Sequence, residues 1–537
     1  MTSEFLALLC NLYIMGLTVA LPLYTQNGWW RLGDVKYGLF RNLSVCCFAV
    51  WALSALISGV RCLAGRFGQG RRSDGGQTAA AGGPGAGFGR RHSPFSAMDA
   101  CVLLYGCCAL CSALVSAWPQ TAWTGYREWY MGALSQLSFV GIYFFVSRCY
   151  TGKRYVVRLW AAAFFLVLLL GFLQRLGLDP LGLTEGFGTA SWEYSHMLST
   201  VGNINWFCGY CAMSMVLPLS GYLRSRERWE RGLLYVVSVL GLFVLFTQGS
   251  DSGVLLGAVA LGICFLWGLQ RESIFRRTCG LAAGVCLLIP AYGNLAGCLG
   301  ERAVMAFPLD GIGLRQLQWP GWWMAGAFFL FLWLLCRLLS GDGGIRGGKE
   351  RSVALRVISL LVVALFFLGG MAVGLVHLLR QPAGALWGNG RGVLWKTSWE
   401  GFLRGSGLQK LLGAGPDCFA EYVYSTFPAT ALPALEGRWK GVVFANAHNE
   451  WLNQLINLGI LGTGAYLGTF LAGAWRYRRH LAGVLAIALY LAASLIGFQQ
   501  VLSTPFLFLL LGLCESAQRA GAEDVTWQEG DGQAKRK

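Results

Sequence analysis

Apolar stretches of about twenty residues recur along the whole chain, and a stretch that long crosses the roughly 30 Å hydrocarbon core of a bilayer as a helix. Lipid offers backbone N–H and C=O groups no partners, so these stretches are expected to be helical throughout. They lie near residues 4–24, 42–60, 98–117, 129–147, 156–174, 204–221, 232–248, 252–269, 279–294, 319–339, 354–376, 453–475, 481–497 and 503–516. The seventh and eighth are parted only by the segment from Gln248 to Ser252. The expected fold class is an all-α polytopic integral membrane bundle of about 14 transmembrane helices. A length of 537 residues would otherwise suggest several soluble domains. Only 13% of the residues are charged, however, about half the share found in such domains.

The formal net charge is +17, and its placement matters more than its size. Connections that would share one face hold Arg61, Arg66, Arg71, Arg72, Arg90 and Arg91, then Lys153 and Arg154, then Arg224, Arg226, Arg228 and Arg231. The same face holds Arg271, Arg276, Arg277, Arg346, Lys349, Arg351, Arg476, Arg478 and Arg479. Short loops on the other face hold Arg31, Lys36, Arg127, Arg175, Arg302 and Arg315. Basic residues concentrate in cytoplasmic loops, so both termini are expected in the cytoplasm and the chain in the cytoplasmic (inner) membrane. Topology thus accounts for the positive charge, and the partner it implies is the lipid bilayer, not nucleic acid.

This reading divides the chain into a transmembrane bundle over 1–375 with a cytoplasmic loop at 61–97, a large extracytoplasmic loop over 376–452, C-terminal transmembrane helices over 453–516 and a cytoplasmic tail over 517–537. The segment from Gly68 to Gly89 is Gly/Ala-rich and reads as a flexible loop. No internal repeat is visible. The first apolar run, from Phe5 to Leu23, is too long for a cleavable signal peptide and lacks a basic start. There are 18 cysteines; the pairs Cys108/Cys111 and Cys208/Cys211 lie inside apolar runs and read as small buried hydrophobes. Only Cys298 and Cys418 fall in expected outer loops, where a bridge between them is conceivable.

The outer loop holds most of the residues suited to chemistry. Arg391 stands between Gly390 and Gly392 and is flanked by Trp387 and Trp395. A helix expected to run to about Arg404 sets Val393, Leu394 and Phe402 beside Trp395 and Trp399, a pattern for lying in the membrane interface. Gly413 to Cys418 forms a turn cluster ending at Phe419, and Ala447-His448-Asn449-Glu450-Trp451 opens the next span with Asn449 as a helix cap. A histidine at that mouth can accept a proton near neutral pH, with Glu450 orienting its ring; equally it is an interfacial polar residue. No third ligand stands at metal-site spacing. Arg391 and, less directly, Lys396 are suited to gripping phosphate or to anchoring in the interface. Asn203 and Asn205 open the sixth span, either lining a polar cavity or making caps and interhelical hydrogen bonds. Asp251 lies between two apolar spans, where a carboxylate at mid-membrane would cost about 2.5–3.5 kcal/mol, so it faces the bundle interior, water or the outer rim.

Four stretches together resemble the O-antigen ligase and O-antigen polymerase superfamily: Gly202-Asn203-Ile204-Asn205, Gly390-Arg391-Gly392 with Trp395, Gly413 to Asp417, and Ala447 to Glu450 followed by Trp451 to Gly462. They span most of the chain in the family's order. The resemblance implies an all-helical membrane protein that takes a glycan from an undecaprenyl diphosphate carrier outside the cytoplasmic membrane. A ligase passes it to a glycan, lipid or protein acceptor; a polymerase passes it to another repeat unit. No metal or other cofactor is implied. Arg391 would hold the diphosphate and His448 would assist the acceptor hydroxyl, with Asn449, Glu450, Trp395, Lys396, Asn203, Asn205 and Asp251 nearby. Where many members carry a Ser-Arg pair, this chain reads Ser250-Asp251-Ser252, so a second cation for the diphosphate would have to be Arg302, Arg315, Arg127 or Lys36. A protein oligosaccharyltransferase and an envelope lipid or sugar transporter are the competing readings.

Overall fold

The computed structural model describes residues 3–69, 95–188, 196–299, 317–339, 390–427 and 443–521, with residues 191, 193, 357, 361 and 364 singly between them. All but those last three residues of the expected span at 354–376, and the positions of Trp387, Arg302 and Arg315, lie outside the described residues.

The apolar runs fold as helices. We number them α1 (Ser3–Leu23, with a π turn at Gly16–Ala20), α2 (Leu32–Gln69), α3 (Ala97–Val115), α4 (Pro119–Thr124), α5 (Ala133–Cys149) and α6 (Arg154–Arg175). The middle of the chain gives α7 (Ile204–Arg224), α8 (Arg228–Thr247), α9 (Asp251–Gly268), α10 (Glu272–Leu299) and α11 (Gly321–Leu339). After the outer-loop helices α12 (Arg391–Arg404), α13 (Gly407–Leu412) and α14 (Phe419–Thr426) come α15 (Glu450–Arg476), α16 (Leu481–Ser494) and α17 (Thr504–Arg519). The only strand pairing among the described residues joins Met197–Leu198 antiparallel to Gly202–Asn203. Eight described helices are long and apolar enough to cross a membrane, so the chain is an all-α, membrane-spanning protein.

Helix α7 sits at the centre. Nearly every residue from Phe207 to Leu223 is buried, which a helix apolar all round requires. It packs on α6, α8, α10 and α16, while α3 lies along α15 and α5 along α17. Helix α2 extends to Gln69, well into the connection expected at 61–97. The last helix runs to Arg519, past the expected end at 516, because Arg519 donates to Asp99 at 2.6 Å and to Glu515 at 2.8 Å. Asp99 also accepts from Arg148 and Tyr143 and, with Ser96, forms a capping box at the start of α3. Cys298 and Cys418 are not bridged: Cys298 is exposed, while Cys418 is buried and contacts Ser116 and the Trp118 carbonyl.

The outer-loop helices pack as a small satellite core against the upper ends of α4 and α15. The Gly413–Asp417 turn explains how. Helix α15 is broken at Gly459, whose φ of 64° and ψ of −167° leave the preceding carbonyls without helical partners. The N–H groups of Ala414 and Gly415 donate to the Ile456 and Asn457 carbonyls at 2.9 and 3.0 Å, and Ser112 donates to the Asn457 carbonyl at 2.8 Å. Asp417, also at positive φ, is buried and accepts from the backbone N–H groups of Tyr126 and Met131, both at 2.8 Å. Burial pushes its carboxyl up to about 7. These bonds clasp the loop to the bundle.

Candidate functional site

The clasp brings the two ends of the outer loop to one place. A cleft with about 670 Å³ of empty space is lined by Arg391, His448, Glu450, Asn203 and Asn205, together with Ser252, Trp129, Trp206, Phe498, Gln500 and Ser503. These residues come from separate regions of the chain, and what they share is local geometry. The cleft takes its lining from the starts of five helices: Asn203 and Asn205 at α7, Ser252 at α9, Arg391 at α12, His448 and Glu450 at α15, and Ser503 before α17. Helix N-termini carry partial positive charge and unsatisfied N–H groups, each favouring an anion by about 0.3–1 kcal/mol. The cleft is thus positively polarised even before its arginine is considered.

The caps are assigned to these helices one by one. Asn203 accepts from Asn205 N–H at 2.8 Å, and Ser250 caps α9 while its hydroxyl donates to Asn205 at 2.9 Å. Helix α12 begins differently: Gly390 at φ 88° precedes Arg391, and no side chain caps the first turn. The N-terminus of such a helix, beside the Arg391 side chain, favours an anion.

His448 sits in a left-handed turn at φ 47°, held by a bond from its own N–H to Asn446 at 3.1 Å. Its ring meets Phe498 edge-on, with centroids 5.2 Å apart. Burial, and then the nearby positive charge of Arg391, lower its pKa to about 4. The imidazole is therefore neutral at pH 7, the form that accepts a proton. Glu450 does not orient it. Its buried carboxylate accepts from Tyr466 and, at 3.2 Å, from Tyr490, and so faces the bundle, because an isolated buried carboxylate needs such donors.

Other residues expected at the site are placed elsewhere. Asn449 caps α15 by accepting from Leu452 N–H at 3.1 Å and donates to the Leu495 carbonyl at 3.0 Å, so it positions the turn and does not line the cleft. Lys396 is exposed, lies 3.8 Å from Glu400 and is not in the cleft lining. Trp395 packs onto the satellite core. Asp251 is the first residue of α9. Of the expected substitute cations, Lys36 is buried and donates to the carbonyls of Leu21 and Pro22 at the end of α1, both at 2.8 Å. Arg127 is exposed and outside the cleft lining.

Sequence reasoning missed the aromatic wall and the α16–α17 turn. Trp129 meets Trp206 at 5.5 Å and Phe498 at 4.8 Å, each edge to face. Gln499 anchors the turn, accepting from Gln136 at 2.7 Å and donating to Tyr105 at 3.1 Å. Gln500 lines the cleft, and its side-chain oxygen is buried without a hydrogen-bond partner among the described residues. Two adjacent amides in a short turn between apolar runs were the available signal. Arg175 was also underread: its buried guanidinium donates to the Gln248 carbonyl at 2.5 Å, holding the end of α8 beside Cys208 of the cleft floor. No protein-family profile and no curated protein sequence matches this chain.

Proposed function

We propose that the chain is an O-antigen-ligase-like glycosyltransferase that moves a glycan from an undecaprenyl diphosphate carrier to an acceptor hydroxyl at the outer face of the cytoplasmic membrane. The observation that carries this reading is one cleft holding a neutral histidine, an arginine and several helix N-termini next to an aromatic wall. A sugar C1 bonded to diphosphate already has a good leaving group. The acceptor oxygen attacks C1, the C1–O bond to phosphate breaks, and the electron pair leaves on the lipid diphosphate. Arg391 and the positive end of α12 stabilise that charge. His448 takes the hydroxyl proton, a role worth about 10²–10⁴-fold. Trp129, Trp206 and Phe498 offer apolar faces to the sugar, and the side-chain amide of Gln500, in the same lining, hydrogen-bonds one of its hydroxyls.

The finer topology belongs to the same proposal: about 14 spans, both termini cytoplasmic, and the cleft outside, at the top of the bundle. The experiment is glycan transfer by His448→Ala and Arg391→Ala. Each is expected to abolish transfer at normal expression; normal transfer by both refutes these roles. Glycan length in a deletion strain separates the two chemistries of the superfamily, because a lost ladder means polymerase and intact chains left on the carrier mean ligase.

A further inference from the structure

Helix α15 starts at the cleft and ends at the opposite face of the bundle, where the chain turns through Arg476, Arg478, Arg479 and His480 into α16. A second cavity lies there, with about 1580 Å³ of empty space. Its lining also includes Arg224 at the end of α7, Arg271 between α9 and α10, and Gln518 near the end of α17. Five arginines and a histidine line it, and among the described residues no carboxylate does. Arg476 is neutralised by Glu515. Arg271 and Arg479 have no carboxylate within ion-pair distance among the described residues. Arg478 donates to the Trp475 carbonyl at 2.7 Å and stacks on the Trp475 ring at 4.3 Å. His480 is 4% exposed; its Nε2 is 2.6 Å from Gln518 Oε1, while its Nδ1 is buried with no partner among the described residues.

A topological bias toward basic loops explains arginines on this face, but it requires no shared geometry. Here turns from separate helix pairs converge on one concavity. Arg271, Arg478 and Arg479 are exposed, so water screens their mutual repulsion, and an anion seated among them gains attraction from all three. The chemistry of the lining selects that ligand: guanidinium groups, with their paired N–H donors, match phosphate oxygens. Trp475, beneath Arg478, is 71% exposed, and Leu266, beside Trp267 of the lining, is 58% exposed. These side chains connect the cavity to apolar surface of the kind that faces lipid. Basic pockets between transmembrane helices are known to hold anionic headgroups.

We propose that this cavity is a binding site for a phosphate-bearing anion, gripped by Arg271, Arg478 and Arg479, with an anionic phospholipid headgroup as its leading source. The test uses the full chain in neutral detergent, in an Arg391→Ala background so that the cleft does not contribute. The probe is fluorescent short-chain phosphatidylglycerol, with the phosphatidylcholine analogue as neutral reference. Phosphatidylglycerol is expected to bind saturably and phosphatidylcholine at least about tenfold more weakly. Arg271→Gln with Arg479→Gln should weaken phosphatidylglycerol about 10–30-fold, from about 1 kcal/mol for each basic residue removed. Arg226→Gln with Arg228→Gln, exposed residues of the same face outside the cavity lining, should leave affinity within about twofold. Equal affinity for the two lipids, or equal losses in the two double variants, overturns the site. If a variant does not fold, inorganic phosphate added to the parent chain decides: displacement of the probe assigns the cavity to free phosphate, and saturable binding that phosphate does not displace assigns it to lipid.

Discussion

Lowering the pH from 7.5 to 5.5 separates the histidine described here from an ordinary one. Burial and the charge of Arg391 hold His448 at about 4, against an unperturbed value of 6.5. A general base works when neutral. Because the pKa is lowered, the ring stays neutral as the pH falls through 6.5 and protonates only near 4. At pH 5.5 about 97% of such a ring is neutral, compared with about 9% of an unperturbed histidine. The kcat/KM of glycan transfer reports the free enzyme. It is expected to retain more than about 90% of its pH 7.5 value at pH 5.5, whereas an unperturbed base would leave about 10%. Both phosphoryl groups of a diphosphate diester stay ionised over this range, so the substrate does not obscure the result. The bound diphosphate places negative charge beside the ring and raises its pKa, so the inflection in kcat should lie above that in kcat/KM. A kcat/KM profile that inflects near 6.5 would refute the reasoning about this cleft.

Gln500→Ala should lower kcat/KM about 2–10-fold, the range for one lost hydrogen bond to substrate, with its effect mainly on KM. An unchanged KM removes Gln500 from sugar recognition. Asp417→Ala strands the N–H groups of Tyr126 and Met131, a loss of about 1–3 kcal/mol each, and should lower the unfolding temperature and transfer activity together. Asp99→Asn should destabilise by about 3–5 kcal/mol in thermal unfolding, because it uncouples Arg148 and Arg519 from a fully buried carboxylate; wild-type stability would mean the ion pairs contribute nothing net.

The helices were readable because lipid forces each apolar run to close its own hydrogen bonds, so length and polarity suffice to place them. Arg391 and His448 were readable because charged or titratable residues beside glycines at a helix mouth stand out against an apolar background. Their meeting in one cleft was not readable, since it depends on the break at Gly459 and the Asp417 clasp, two contacts between segments far apart in sequence. Glu450 shows the limit most plainly. Two positions from His448 in sequence, it bonds elsewhere because Tyr466 and Tyr490, on α15 and α16, supply the donors its buried carboxylate needs. Trp129, Trp206 and Phe498 were invisible for the complementary reason: each looks like an ordinary membrane-protein residue until tertiary packing lines them up.

The most direct test is to give the purified chain a polyprenyl-diphosphate-linked glycan and an acceptor, and to measure release of polyprenyl diphosphate against glycan joined to the acceptor. The expected result is one carrier released for each glycan transferred, with His448→Ala losing turnover but still binding the lipid-linked glycan and Arg391→Ala losing both. Binding without turnover in the parent chain, or equal turnover in the His448→Ala variant, would contradict the assignment of this cleft to glycan transfer.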